Sequence, residues 1–216
     1  MKCETPYFDE LILRFPELNK CYDNIIRMYN ALVICFESGR KLLICGNGGS
    51  AADALHMTGE LMKSFVRKRS LDEGFVKRFN DNFDIGTDDI LSGLQGALPV
   101  YPLVENASLT TAYSNDVDPD FSFAQQVYGY AREGDAVLGI STSGNAANVN
   151  RALMVAKGRG ATTLGLSGMD GGRIRNLCDV CICVPETETY KVQELHLPVY
   201  HSICLALENH FWGGQS

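Results

Sequence analysis

The chain has 216 residues, enough for one α/β domain with a core of its own. Hydrophobic residues make up 45% and charged residues 21%, a globular balance that excludes disordered and fibrous classes. The formal net charge of −7 argues against nucleic acid as a partner, and the only dense basic run, Lys63, Arg67, Lys68 and Arg69, is too short to reverse that.

No apolar stretch approaches the ~20 residues of a membrane helix, so no membrane partner is expected. The start, "MKCETPYFDE", lacks the basic and apolar regions of a signal peptide, and the expected location is the cytoplasm. Residues 1–40 read as a helical segment. In "NKCYDNIIRMYNALVICFESG" a wide apolar face is formed by Ile25, Ile26, Met28, Tyr29, Leu32, Val33 and Phe36, and Gly39 supplies a stop. Five short apolar runs follow, at 41–45, 98–104, 136–140, 162–166 and 180–184. Continuous apolar runs suit strands buried on both faces, as in a parallel sheet. Helical patterns lie between and after them, at 50–65, 106–113, 121–131, 145–157 and 190–211. The expected fold is therefore α/β: a single doubly wound domain over 41–216, with a five-stranded parallel sheet flanked by helices and the N-terminal helices added. The polar, weakly periodic stretch 66–96 interrupts the rhythm and reads as an insertion, either a substrate lid or an interface flap.

Eight cysteines raise a zinc or disulfide reading. Cys3, Cys21, Cys35, Cys45 and Cys204 are isolated within or beside apolar segments, and Cys178-x-x-Cys181 has no second pair or histidine partner at zinc spacing. Cys181 and Cys183 alternate along a strand and so share a face. Buried reduced thiols are the expectation.

One device occurs twice. "KLLICGNGGSA" and "AVLGISTSGNA" are each strand, then Gly/Ser/Asn loop, then helix. In a parallel sheet, ligands sit beyond the carboxyl ends of strands, where unpaired N–H groups at helix N-termini attract anions. The first loop fits the glycine pattern of a dinucleotide site. Such a site also needs an acid ending a second strand roughly 20 residues on, and here that region is "SFVRKRSLDEG", where Asp72 and Glu73 fall in the polar insertion. The second loop, Ser141-Thr142-Ser143-Gly144-Asn145, offers three hydroxyls and no charge, which suits a phosphate monoester held by neutral donors. The alternative for either loop alone is an ordinary capped turn.

The helix after the first loop carries His56 and Glu60, four residues apart and on one face. That spacing serves two ligands of one metal, an acid–base pair, or plain surface polarity. The last helix, "VQELHLPVYHSICLALENH", adds Gln193, Glu194, His196 and His201, with Pro198 expected to bend its axis. Periodicity does not select between the two histidines.

"CGNGGSAADALHMTGEL", "GISTSGNAANV" and "VQELHLPVYH", in this order, resemble the sugar-isomerase (SIS) domain family and, within it, the bacterial phosphoheptose isomerases. The likeness covers about 41–208 apart from the insertion. It implies an aldose–ketose isomerase that interconverts sedoheptulose 7-phosphate and a heptose 7-phosphate. By matching position it implies a substrate pocket lined by Asn47, Gly48, Gly49 and Ser50, with Ser141, Thr142 and Ser143 at the phosphate and Asn115 and Asp116 as further contacts. It also implies a zinc ion held by His56, Glu60, Gln193 and His201, with Gln193 also against substrate, and Glu60 and His201 as the acid–base pair. His201 is thereby selected over His196. A homotetramer with sites at subunit contacts is implied as well. Three positions depart from the pattern common in these isomerases: Ala146 stands where a serine follows the second loop, Tyr190 where an aspartate precedes the ligand glutamine, and Ser64 where an arginine follows the first helix face. Isomerase chemistry is therefore the firmer implication, and the seven-carbon substrate the finer one. Some relatives keep the fold but bind a replication-initiator protein or sense a sugar phosphate without catalysis. They lack an intact acid–base and metal set, which this chain retains.

Overall fold

The computed structural model describes residues 6–83 and 87–214. The chain opens with α1 (Pro6–Arg14), a 3-10 turn over Pro16–Cys21 and α2 (Tyr22–Glu37). There follow β1 (Leu42–Gly46), α3 (Gly49–Met62), α4 (Glu73–Asn82), α5 (Thr87–Gly93), β2 (Val100–Pro102) and α6 (Ala107–Asp116). The remainder is α7 (Ser122–Tyr130), β3 (Ala136–Ser141), α8 (Ala147–Gly158), β4 (Thr162–Ser167), α9 (Ile174–Leu177), β5 (Val180–Cys183) and α10 (Thr189–Trp212). All five expected strands form, every pairing is parallel, and the order is β2-β1-β3-β4-β5.

The apolar runs are continuous because the sheet is covered on both faces. In β1, Leu42 and Ile44 join the core made with α1, α2, α3 and α10, while Leu43 and Cys45 join the opposite core with α7, α8 and α9. Each of these side chains is fully buried, and truncating one leucine to alanine would cost about 2–5 kcal/mol. Cys181 and Cys183 do share a face, with their sulfurs 3.8 Å apart. Among the described residues no helix is long and apolar enough to cross a membrane.

The strand order positions the site. β2 lies on one side of β1 and β3 on the other, so successive crossovers leave β1 in opposite directions. Such a reversal opens a crevice at the carboxyl ends of the two central strands, where doubly wound proteins bind ligands. The two strands concerned, β1 and β3, are those followed by the Gly/Ser loops.

The 66–96 stretch contains α4 and α5, and α4 buries none of its residues. A local signal makes α4 helical despite its weak periodicity: the Asp72 carboxylate caps it by accepting from the Phe75 N–H at 2.7 Å. The root of the stretch is fixed much more firmly. Glu208, fully buried near the end of α10, accepts from the backbone N–H groups of Phe65, Val66 and Arg67 and from Arg69 Nε at 2.7–3.1 Å. Arg69, 2% exposed, donates onward to the carbonyls of Leu61 and Glu60, both at 2.7 Å. Its guanidinium lies 4.7 Å from the Trp212 ring centroid. This network ties the carboxyl end of α3, where Glu60 stands, to α10.

Candidate active site

After β1 the chain turns at Gly48 and enters α3, whose first N–H groups fold back on the loop: Ser50 N–H donates to the Asn47 carbonyl at 3.0 Å. The amides of Asn47 and Asn148 pair reciprocally at 2.9 Å, which joins this loop to the first turn of α8. Ser50 is buried. Gly49 lies so close to the end of the Gln193 side chain, reaching across from α10, that a Cβ there would push the amide aside.

After β3 the second loop is braced from outside. Gly144, at φ 65°, backs onto the Gly171 carbonyl and has no room for a side chain, and its own carbonyl accepts from the Ile174 N–H at 3.0 Å. Asn145 donates to the Ser143 carbonyl and accepts from the Arg173 N–H. Ser141 is buried at the end of β3, whereas Ser143 is exposed. A cavity of about 210 Å³ flanks the loop, lined by Thr142, Ser143 and Asn145 but also by Asp170 and Glu186. Two carboxylates make that cavity a poor seat for an anion. The donors suited to phosphate are the hydroxyls themselves and the backbone N–H groups at the head of α8, whose N-cap Ala146 contributes no side-chain bond.

The third component lies between α3 and α10. His56 Nε2 stands 3.3 Å from Glu60 Oε1, and the other Glu60 oxygen faces Lys63 Nζ at 3.4 Å. The His201 ring meets the His56 ring edge to face, with centroids 4.9 Å apart at 89°. Among the described residues, His201 Nε2 is buried without a hydrogen-bond partner. Burial first, and the neighbouring His56 second, hold its pKa below the ordinary imidazole value, so the ring is neutral at neutral pH. His196, five positions earlier, is 0% exposed, and burial pushes it down to about 4. Of the two candidates on α10, His201 is therefore the one placed against His56. Gln193 and His56 line one open cavity of about 570 Å³ together with Asp53, Tyr190, Glu194 and Tyr200.

Two sequence-predicted contacts are not brought to this cluster within one chain. Asn115 and Asp116 end α6, exposed and bonded to each other at 2.8 Å, and neither lines these cavities. Two residues that the sequence reading missed do join it. The Tyr200 hydroxyl lies 3.0 Å from His56 Nδ1 and donates to Asp53 Oδ1 at 3.4 Å. The available signal was Asp53 one turn before His56 on α3.

Two imidazoles, a carboxylate and an amide form a nitrogen–oxygen donor set that zinc accepts. Three of the donors adjoin, and the buried, partnerless His201 Nε2 is the kind of orphan a cation would satisfy. The set fits zinc in chemistry and in neighbourhood. Among the described residues, however, no three His, Cys, Asp or Glu side chains are already grouped to hold an ion. His201 and Gln193 would have to close upon it.

Comparison with known proteins identifies the family. The SIS domain family matches residues 108–207. A phosphoheptose isomerase of a Nitratiruptor species is 37% identical over 94% of this chain and 96% of its own length, and one from Pelobacter propionicus is 41% identical over 82% and 80%. Among solved structures, the phosphoheptose isomerase of Neisseria gonorrhoeae superposes with a TM-score of 0.73 at 31% identity, over 94% of this chain and 96% of that one. The one from Francisella tularensis gives 0.74 at 26% identity, over 94% and 95%. Fold, loops and relatives converge: the chain is an isomerase built on the SIS domain, and it belongs to the phosphoheptose isomerase family.

Proposed function

We propose that the chain interconverts sedoheptulose 7-phosphate and D-glycero-D-manno-heptose 7-phosphate, an aldose–ketose isomerisation through an enediolate. The observation that carries this reading is the Glu60 carboxylate, 14% exposed, beside His56 on the helix that follows the first Gly/Ser loop, with the neutral His201 packed against His56. The relatives named phosphoheptose isomerase support the seven-carbon substrate.

In this mechanism Ser141, Thr142, Ser143 and the loop Asn47–Ser50 hold the phosphate end through hydroxyl and backbone donors. Glu60 takes the proton from the carbon next to the carbonyl and returns it to the neighbouring carbon. His201 serves the oxygens, giving a proton to the carbonyl oxygen as the enediolate forms and taking one back from the neighbouring hydroxyl as that oxygen becomes the new carbonyl. General acid–base steps of this kind are each worth roughly 10²–10⁴ in rate. A zinc ion held by His56, Glu60, Gln193 and His201 would polarise carbonyl and hydroxyl oxygens as a Lewis acid. One carboxylate can meet an ion with one oxygen and a proton with the other, and an imidazole has two nitrogens to divide in the same way. Asn115 and Asp116, exposed and remote from the cavities, are assigned to the site of a neighbouring copy in a homotetramer.

The test is a panel of five-, six- and seven-carbon ketose phosphates with the purified protein, paired with elemental analysis and with Glu60→Gln. Turnover of the seven-carbon substrate that falls at least about 100-fold in Glu60→Gln is expected. A Glu60→Gln protein with full turnover refutes the assignment, and preference for a shorter sugar refutes the substrate.

A further inference from the structure

We infer that Tyr200 and Asp53 are positioning residues that fix the tautomer of His56, placing its proton on Nδ1 and leaving the Nε2 lone pair bare beside Glu60. The inference deepens the proposed function and rests on it only for what the bare nitrogen is for.

The Tyr200 hydroxyl has one proton and two neighbours, His56 Nδ1 at 3.0 Å and Asp53 Oδ1 at 3.4 Å. A carboxylate can only accept, so the phenolic proton goes to Asp53 and the phenolic oxygen is left to accept. Of these two neighbours only His56 can donate to it, through Nδ1–H. Tyr200 is 2% exposed, and the second Asp53 oxygen is buried with no partner among the described residues, so the Asp53 carboxylate depends on this hydroxyl. The Tyr200 and His56 rings meet edge to face at 5.6 Å and 80°, which also fixes the imidazole plane.

The consequence falls on the other nitrogen. Nε2 faces Glu60 Oε1 at 3.3 Å. With the proton on Nδ1, two acceptors confront each other across that gap, and a cation or an incoming proton is what closes it. With the proton on Nε2, His56 would donate to Glu60, and both groups would be spent on each other. Metal-bound histidines generally hand their second N–H to an oxygen partner for this reason. Here the partner is a tyrosine backed by a carboxylate, drawn from α10 and α3 respectively.

The test uses the full chain labelled with ¹⁵N-histidine, stripped of metal by a chelator and held above the pH range in which imidazole titrates. The His56 signal is identified by its loss in His56→Gln. Long-range ¹H–¹⁵N spectra are expected to show Nδ1–H in the unaltered protein. Tyr200→Phe removes the acceptor, and Asp53→Asn lets an amide donate to the phenol, which then donates to Nδ1. Both variants are expected to move the proton to Nε2. Zinc affinity, read by competition with a chromophoric chelator, is expected to fall roughly 10–100-fold in both. Asp53→Asn is nearly isosteric, so a native unfolding curve for it excludes a folding defect. An Nε2–H signal in the unaltered protein, or variants that keep the Nδ1–H tautomer, overturns the inference. A protein that holds Nδ1–H and binds no zinc upholds it, and refutes only the metal part of the proposed function.

Discussion

Replacing Glu208 by glutamine tests the network that joins α3 to α10. The carboxylate receives four hydrogen bonds, two on each oxygen. Glutamine keeps one oxygen and presents an NH₂ to two N–H donors where the other was, so two bonds become repulsive contacts. It also leaves the Arg69 guanidinium, whose side chain is 0% exposed, without a counter-charge. Removing one partner of a buried ion pair costs about 3–5 kcal/mol, because the remaining charge stays desolvated. For a chain of this size that is a fall in melting temperature of roughly 6–20 °C. The measurement is urea unfolding followed by fluorescence of Trp212, the only tryptophan, which stacks on Arg69.

The pH dependence supplies a second check on the same residue. Burial pushes the Glu208 carboxyl up, but the N–H groups of Phe65 and Val66 and the Arg69 guanidinium outweigh it and hold the carboxyl below its ordinary 4.5. A carboxyl depressed in the folded state contributes stability that is complete above the unfolded value and is lost as pH falls below it. Glu208→Gln should therefore lose most at neutral pH and converge on the unaltered protein in acid. A cost under about 1 kcal/mol at neutral pH, within the range of an exposed pair, would refute the reasoning. The double replacement of Arg69 and Glu208 by apolar residues of similar volume should recover much of the loss, since no buried charge is then left alone.

Three further outcomes are expected. His196 titrates near 4 when folded against 6.5 in its ordinary state, so between those values the unfolded chain binds the extra proton and stability drops as pH falls, by up to about 3 kcal/mol; His196→Leu should flatten that part of the curve, and an unchanged slope would sink the explanation. Gly49→Ala should leave unfolding nearly unchanged yet reduce kcat/KM by on the order of 100-fold, because the new methyl displaces the Gln193 amide; unchanged kinetics would show that Gln193 has no part in turnover. The hydrogen bond shared with Cys181 and the nearby Arg175 guanidinium outweigh burial and hold Cys183 below the ordinary thiol range, while burial pushes Cys178 up to about 12. Iodoacetamide at neutral pH should therefore label Cys183 before the other cysteines among the described residues, as read by peptide mass spectrometry.

The sheet was legible because each strand announces itself locally: five uninterrupted apolar runs can be satisfied only by burial on both faces. The turns were legible for a similar reason, since glycine and hydroxyl clusters mark where a strand gives way to a helix. What local pattern could not reveal depends on contacts between distant segments. Arg69 reads in sequence as one member of a basic run, yet it is buried, because its partner Glu208 lies 139 residues away. His196 and His201 are equivalent to any helical-wheel argument. Only the packing of α10 sends one into the core behind the sheet and the other against His56. Tyr200 gave no signal at all, for its role is defined by Asp53, 147 positions earlier. The helix α4 is the opposite case, formed from a local cap and a Lys77–Asp81 pair with no core to report it.

The positions that depart from the family pattern share a location, and that location separates chemistry from selectivity. Tyr190 is 56% exposed on the wall of the His56–Gln193 cavity. Ser64 follows α3, its N–H bonded to Gln95 of the insertion at 2.8 Å. Ala146 is the uncapped residue at the head of α8. All three lie at the margins of the elements that carry the loops and the cluster. None is among His56, Glu60, Gln193 or His201, which stand on the two helices locked together through Arg69 and Glu208. A proton transfer needs its groups held to a fraction of an ångström, which packed helices provide. Discrimination among sugars of similar chemistry needs only one hydrogen bond made or missed at the rim. Under the proposed function, the acid–base pair stands on two helices tied by a buried ion pair, and a substitution at Tyr190, Ser64 or Ala146 alters selectivity without moving the reacting groups.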